Sequence, residues 1–190
     1  MSLAWDVPAY RPDRPGRTPP RVIVTRPARE SAHWAQALEA RGVPCETFPL
    51  IEIAALPDPS ALAQAWQAVP GHLAVMFVSA NAVRYFMAAR PAGLDLKTCR
   101  AWSTGPGTQA ALLASGWPAD KIDSPDESAA QFDSEALWAL VSGRVQTMVA
   151  QPGLSSPKAQ SSVLIVRGAD AQGQMAGRDW LALQLENAGL

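Results

Sequence analysis

The chain has 190 residues, of which 48% are apolar and 17% are charged, with 16 Lys and Arg against 17 Asp and Glu. This length can bury a substantial core, and the apolar fraction is too high for a disordered chain. The formal net charge of −1 removes any global argument for nucleic-acid binding. However, 13 of the basic residues are arginines, which bind carboxylates and phosphates through paired hydrogen bonds, so anionic small molecules are candidate ligands.

The cysteines and the N-terminal segment indicate the class of protein. Cys45 and Cys99 lack the spacing of a zinc site, so we expect no metal and reduced thiols in a cytoplasmic protein. The longest apolar run, residues 73–78, is far too short to span a membrane. Residues 1–20 contain five prolines and three arginines, which is typical of a disordered tail and not of a signal peptide.

The ordered part is expected to begin at Arg21 with a β-branched run. Runs of this kind predict strands, whereas cap residues, prolines and glycines delimit the segments between them. The first predicted elements are a strand over 22–25, a helix from a Ser31 cap to about Arg41 ended by Gly42, an extended edge segment over 45–56 and a helix over about 60–69.

The strand–turn–helix pattern then recurs to the end of the chain. The predicted strands are 73–78, 100–104, a short one at Ile122, and 163–166; the predicted helices are 82–89, 109–115, about 133–141 with Asp133 or Ser134 as cap, and a last one over 180–185. A Gly/Pro/Ser-rich loop is expected over 142–162, and the acidic residues Asp120, Asp123, Asp126 and Glu127 are expected in a solvated loop. Alternating strands and helices predict an α/β fold with a mostly parallel sheet covered on both faces.

Ligands of such sheets bind at the carboxyl ends of the strands, so the turns there provide the candidate site. The candidates are Arg26 after the first strand, Ser79 and Asn81 after the third, Gly105, Gly107 and Thr108 in the next turn, and Arg167 after the last strand. Helix-start amides, glycines and arginines together indicate recognition of a carboxylate or phosphate. Each candidate also has a purely structural interpretation as a helix cap, a tight turn or a solvated arginine. His33 and His72 have no partner at a spacing that indicates catalysis.

Six segments in order resemble the uroporphyrinogen-III synthase family of the bacterial type. They are VIVTRP (22–27), PLIEI (49–53), FVSANAV (77–83), TGPGT (104–108), DSEAL (133–137) and VLIVRG (163–168). The resemblance covers residues 21–190. It implies two Rossmann-like parallel-sheet lobes joined by extended linkers, with the active site between them.

The same resemblance implies the domain organisation. Residues 1–20 would be the tail, 21–53 the N-terminal part of a discontinuous first lobe, and 54–190 a nearly complete second lobe. The family pattern continues beyond Leu190 with the end of the second lobe and the rest of the first, including a tyrosine that is a candidate to assist hydroxyl loss. We therefore expect an incomplete first lobe and impaired activity of these 190 residues alone.

The implied reaction closes hydroxymethylbilane to uroporphyrinogen III, with inversion of the last pyrrole ring and loss of water. Pyrrole nitrogen drives loss of the hydroxyl group, so no cofactor is expected, and the enzyme's task is to position a substrate with eight carboxylates. The resemblance assigns Ser79, Thr108, Gly105 and Gly107 to the substrate site, with Arg26, Arg167 and Arg178 as weaker candidates and no catalytic residue. We also expect a monomer that binds no nucleic acid and no membrane. The alternative is a non-catalytic α/β module that binds a nucleotide or polycarboxylate; a structural scaffold is a third possibility.

Overall fold

The computed structural model describes residues 21–126, 128–150 and 162–190. The expected tail over 1–20, Glu127 of the acidic stretch, and residues 151–161 of the expected loop lie outside the described residues. The chain forms two compact units, one that ends at Ala55 and one that begins at Leu56. Both contain parallel strands and helices, so the predicted α/β class is confirmed. No helix in the described ranges has the length and apolar character that crossing a membrane requires.

The first unit is a strand–helix–strand motif. Strand β1 (Val22–Val24) pairs in parallel with β2 (Cys45–Thr47), and helix α1 (Ala28–Glu39) connects them. The predicted edge segment is therefore a short strand followed by chain without regular structure. Within this unit Ile23 is 61% exposed, whereas Val24 is buried.

The two ends of α1 show one wrong and one correct prediction. Ser31 is not the cap, because the helix begins at Ala28, directly after Pro27. The Ser31 hydroxyl is buried and donates a hydrogen bond to the Arg26 carbonyl, with 2.6 Å between Oγ and O. At the other end Gly42 has a φ of 72°, a left-handed conformation that glycine adopts freely, and its N–H donates to the Glu39 carbonyl.

The second unit is built on a four-stranded sheet in which all the strands are parallel. The strands are β3 (Ala74–Phe77), β4 (Arg100–Ser103), β5 (Ile122–Asp123) and β6 (Val163–Val166). Their spatial order is β5–β4–β3–β6, so β3 lies between β4 and β6. The four predicted strands of this part are confirmed.

Helices cover both faces of this sheet, as predicted. They are α2 (Ser60–Ala68), α3 (Ala80–Ala88), α4 (Pro106–Ala114), α5 (Ser134–Ala150) and α6 (Trp180–Asn187). Because side chains alternate along a strand, Val75 and Phe77 of β3 join the core under α2, α3 and α4, whereas Met76 joins the core under α5 and α6. Trp66 stacks on Phe86 in the first of these cores, with ring centroids 4.3 Å apart.

The helix starts in the second unit differ in part from the predictions. Ser79 caps α3 as predicted, and its hydroxyl accepts a hydrogen bond from the Ala82 N–H. Thr108 is not a cap, because α4 begins at Pro106 and Thr108 lies buried in the first turn. A proline at the first helical position loses no hydrogen bond there and has a suitable φ, which explains the earlier start.

Helix α5 is the largest departure from the predicted elements. Asp133 is its cap, since its Oδ1 accepts a hydrogen bond from the Ala136 N–H at 2.9 Å. The helix continues to Ala150, so the loop expected from Ser142 is wrong over 142–150. Its buried residues Leu137, Val141 and Val145 recur every four positions and pack against the sheet, and this packing outweighs the low helix propensity of Gly143.

Candidate functional site

The carboxyl ends of β3, β4 and β6 form one edge of the second sheet. Ser79 follows β3, Thr104 and Gly105 follow β4, and Arg167 follows β6. Because β3 lies between the other two strands, the turn that contains Ser79 lies between the turns that contain Gly105 and Arg167. Asn81, Gly107 and Thr108 lie in the first turns of α3 and α4, which leave this edge. Arg178 lies two residues before α6. Arg26 belongs to the first unit, where its guanidinium lies over the Trp34 ring at 5.6 Å.

The polar side chains at the start of α3 make local contacts. The Ser79 hydroxyl bonds the Ala82 N–H at 3.1 Å, and Asn81 Oδ1 accepts a hydrogen bond from the Arg84 guanidinium. Both residues are half-buried. A ligand at this edge would therefore meet a capped helix start and an amide already oriented by an arginine.

The two candidate glycines of the β4–α4 turn have different surroundings. The Gly105 N–H donates to Ser103 Oγ at 3.2 Å, and a Cβ added at Gly105 would lie 2.9 Å from the Phe132 Cβ. A Cβ added at Gly107, by contrast, would meet no heavy atom within 4 Å. The open space for a ligand in this turn is thus at Gly107, and Gly105 serves close packing against Phe132. The substrate-binding roles of both glycines stay predictions.

A cavity of about 170 Å³ opens at the same edge, on the face covered by α5 and α6. Its walls come from the ends of β3, β4 and β6 and from the starts of the two helices. The polar and aromatic residues that line it are Thr104, Phe132, Asp133, Ser134, Arg167, Arg178 and Asp179. The other five candidates of the second unit do not line this cavity, because they lie at the starts of α3 and α4, which cover the opposite face: Ser79, Asn81, Gly105, Gly107 and Thr108.

Both arginines of the cavity are paired with carboxylates of the chain itself. Arg167 Nη1 donates to Asp179 Oδ1 at 2.6 Å. Arg178 donates through Nη1 and Nη2 to the two oxygens of Glu135 at 3.0 and 3.2 Å. The arginines are therefore held in place, and each already binds the kind of group that a polycarboxylate ligand would present.

Five of the polar and aromatic residues that line this cavity are not among the sequence-based site candidates: Thr104, Phe132, Asp133, Ser134 and Asp179. Asp133 and Ser134 were predicted only as caps of a helix. Thr104 is part of the TGPGT segment, but only Gly105, Gly107 and Thr108 of that segment are predicted site residues. Phe132 and Asp179 lie just before α5 and α6, and an acid directly before a helix is the signal that would have included Asp179. Neither the contact of Phe132 with Gly105 nor that of Asp179 with Arg167 can be read from periodicity.

The opposite edge of the sheet, formed by the amino ends of the strands, contains His72 and Cys99. There the His72 ring Nδ1 lies 2.8 Å from Ser162 Oγ, and burial lowers the pKa of His72. Burial raises the pKa of the Cys99 thiol to about 11, so the thiol is protonated at neutral pH. Across the described ranges, no three His, Cys, Asp or Glu side chains are grouped so that they would hold a metal ion.

Comparison with known proteins identifies the family. A family model described as uroporphyrinogen-III synthase HemD matches residues 32–189. The chain belongs to the uroporphyrinogen-III synthase family. No curated protein matches the sequence. The crystal structure of uroporphyrinogen III synthase from the extremely thermophilic bacterium Thermus thermophilus is similar at 17% sequence identity and a TM-score of 0.42; the match covers 89% of this chain and 57% of that one. The chain thus spans a little over half the length of this member of the synthase family.

Proposed function

We propose that this chain takes part in the cyclisation of hydroxymethylbilane to uroporphyrinogen III, with inversion of the last pyrrole ring and loss of water. The family match over residues 32–189 is the observation that carries the proposal. It favours this reaction over the alternative of a non-catalytic module that binds another anion. The proposed reaction needs no cofactor, because the pyrrole nitrogen itself supplies the electrons that expel the hydroxyl group.

The proposed contribution of the protein is positioning of the substrate carboxylates. Arg167 and Arg178 supply guanidinium groups at one side of the strand-end edge, and the open turn at Gly107 offers backbone N–H groups at the other. Ser79 and Asn81, at the start of α3, and the turn at Gly105 and Thr108 would complete the contacts. Fixed donors of this kind accelerate a reaction by holding one geometry of a flexible substrate, here the geometry that leads to ring inversion.

The organisation that we propose follows the same family. The units correspond to an N-terminal part of the first lobe over 21–53 and to the second lobe over 54–190. The protein would act as a cytoplasmic monomer on a small-molecule tetrapyrrole, without nucleic acid. Arg26, in the first unit, stays a candidate contact for a substrate carboxylate.

The test is conversion of freshly prepared hydroxymethylbilane, followed by separation of the type I and type III isomers. Spontaneous closure gives type I, so we expect the protein to raise the type III fraction above the spontaneous value, even at slow turnover. Arg167→Gln should reduce that fraction, whereas Arg90→Gln, which removes the same charge just after the carboxyl end of α3, should not. Type I alone in the presence of folded protein would contradict the proposal.

A further inference from the structure

Arg167 is the less exposed of the two arginines in the cavity at the ends of β3, β4 and β6. Its side chain is 20% exposed, compared with 68% for Arg178. A guanidinium that has lost most of its water requires an anionic partner, because an unpaired buried charge is strongly unfavourable. In this structure that partner is Asp179, at 2.6 Å.

Asp179 is held much less firmly than the arginine it binds. Its side chain is 65% exposed, and although it stands at the start of α6 it makes no capping hydrogen bond to the helix. Its contact with Arg167 is through a single pair of atoms. Because the Asp179 carboxylate is already largely in water, it loses little on leaving, and an incoming carboxylate restores the ion pair with Arg167.

The other carboxylate that lines this cavity, Asp133, and the carboxylate that pairs with Arg178, Glu135, have structural roles. Asp133 caps α5 through the Ala136 N–H. Glu135 makes a two-point contact with Arg178 and so joins the first turn of α5 to the segment before α6. Moving the side chain of Asp133 or Glu135 would break a contact that holds the start of α5. Moving the side chain of Asp179 breaks no such contact, because it makes no capping hydrogen bond to α6.

We propose that Asp179 is an internal competitor for Arg167: it occupies the guanidinium in the unliganded protein and is displaced by a carboxylate of the ligand. Asp179 thereby sets how tightly the cavity binds polycarboxylates, and it acts through Arg167 as a positioning residue. This inference rests on the proposed function for the identity of the ligand, a tetrapyrrole with carboxylate side chains. The exchange itself requires only a carboxylate.

The test measures binding of two probes to the 190-residue chain: uroporphyrin I by fluorescence titration, and benzenehexacarboxylate by calorimetry. Asp179→Asn keeps the shape and removes the competing charge, so we expect binding about two- to fivefold tighter. Asp179→Glu retains the carboxylate and should bind like the original protein. Glu186→Gln removes an exposed carboxylate from the same helix and controls for net charge. In an Arg167→Gln background, Asp179→Asn should have no effect.

The possible outcomes separate the exchange from the proposed function. Weaker or unchanged binding of benzenehexacarboxylate by Asp179→Asn, an equal gain with Glu186→Gln, or a gain that persists without Arg167 would overturn the exchange. If benzenehexacarboxylate follows the expected pattern and uroporphyrin I binds to no variant, the exchange is supported and the proposed tetrapyrrole function fails. If both probes follow the expected pattern, the carboxylate exchange and the proposed tetrapyrrole function are both supported.

Discussion

Asp123 connects three elements of the second unit through one carboxylate. Arg100 Nε and Nη2 donate to it at 2.6 and 2.8 Å, and Arg144 Nη1 of α5 donates at 2.7 Å. Burial raises the pKa of this carboxyl group, but the hydrogen bonds from the two arginines outweigh burial, so its pKa lies below the ordinary value. The expectation of a solvated acidic loop is therefore wrong for Asp123, which is 8% exposed.

We expect Asp123→Asn to lower the free energy of unfolding at pH 7 by about 2 kcal/mol, because charged hydrogen bonds are lost. Since folding depresses this pKa, the stabilisation is present above the ordinary carboxyl pKa of about 4 and is lost as the pH falls through the folded value. Urea denaturation between pH 7 and pH 3 should therefore show the variant and the original protein converging at acidic pH. Asp120→Asn, on the exposed turn before β5, should change stability by less than about 0.5 kcal/mol. A difference that stays constant down to pH 3 would contradict this account.

Gly105 provides a second test at the scale of single residues. Because an added Cβ would lie 2.9 Å from the Phe132 Cβ, Gly105→Ala should cost about 1–3 kcal/mol of stability through overpacking. Gly107→Ala, two residues along the chain and without a neighbour within 4 Å, is the matched control and should be neutral or slightly stabilising. Chemical denaturation of Gly105→Ala in a Phe132→Gly background should show most of the cost removed. An unchanged cost there would mean that Phe132 is not the obstacle.

At the scale of elements, Ser79 connects the stability of α3 to the proposed ligand surface. Ser79→Ala removes the cap of α3 and should cost about 1 kcal/mol in thermal or urea unfolding. Ser79→Asp keeps a capping oxygen and should retain stability, but its negative charge should weaken binding of uroporphyrin I. Unchanged uroporphyrin I binding by a stable Ser79→Asp variant would place Ser79 away from the ligand.

The elements that local chemistry defines were predicted correctly. The β-branched run at 163–166 and the apolar run around Ala74–Phe77 are strands because such residues pack well on a sheet, and Ser79 and Asp133 are caps. The start of α4 was predicted wrongly although its signal was present, since Pro106 fits the first helical position. The length of α5 was missed because burial of Val141 and Val145 under the sheet decides it, and local composition does not reveal that burial.

At the scale of the whole molecule, alternating strands and helices predicted the α/β class and brought the candidate residues of the second unit to one edge. The pattern of elements does not predict which carboxylates pair with the two arginines of the cavity. Arg178 and Glu135 are 43 positions apart, and Arg167 and Asp179 are 12 apart, so these contacts depend on how α5 and α6 pack beside β6. The residue types at the strand ends predicted an anion site. The packing of the helices determines which carboxylates of the chain bind the two arginines.

We propose that the carboxyl-end edge of the second sheet is the tetrapyrrole-binding surface, and amide NMR shifts during titration with uroporphyrin I locate the bound molecule residue by residue. We expect the largest changes at Ser79, Thr104, Gly107 and Arg167. Little change is expected at His72 and Cys99, which lie at the opposite edge of the sheet, and at Asp123, whose carboxylate is bound by Arg100 and Arg144. Changes concentrated at those three residues, or no change at the strand-end turns when uroporphyrin I is bound, would contradict the claim.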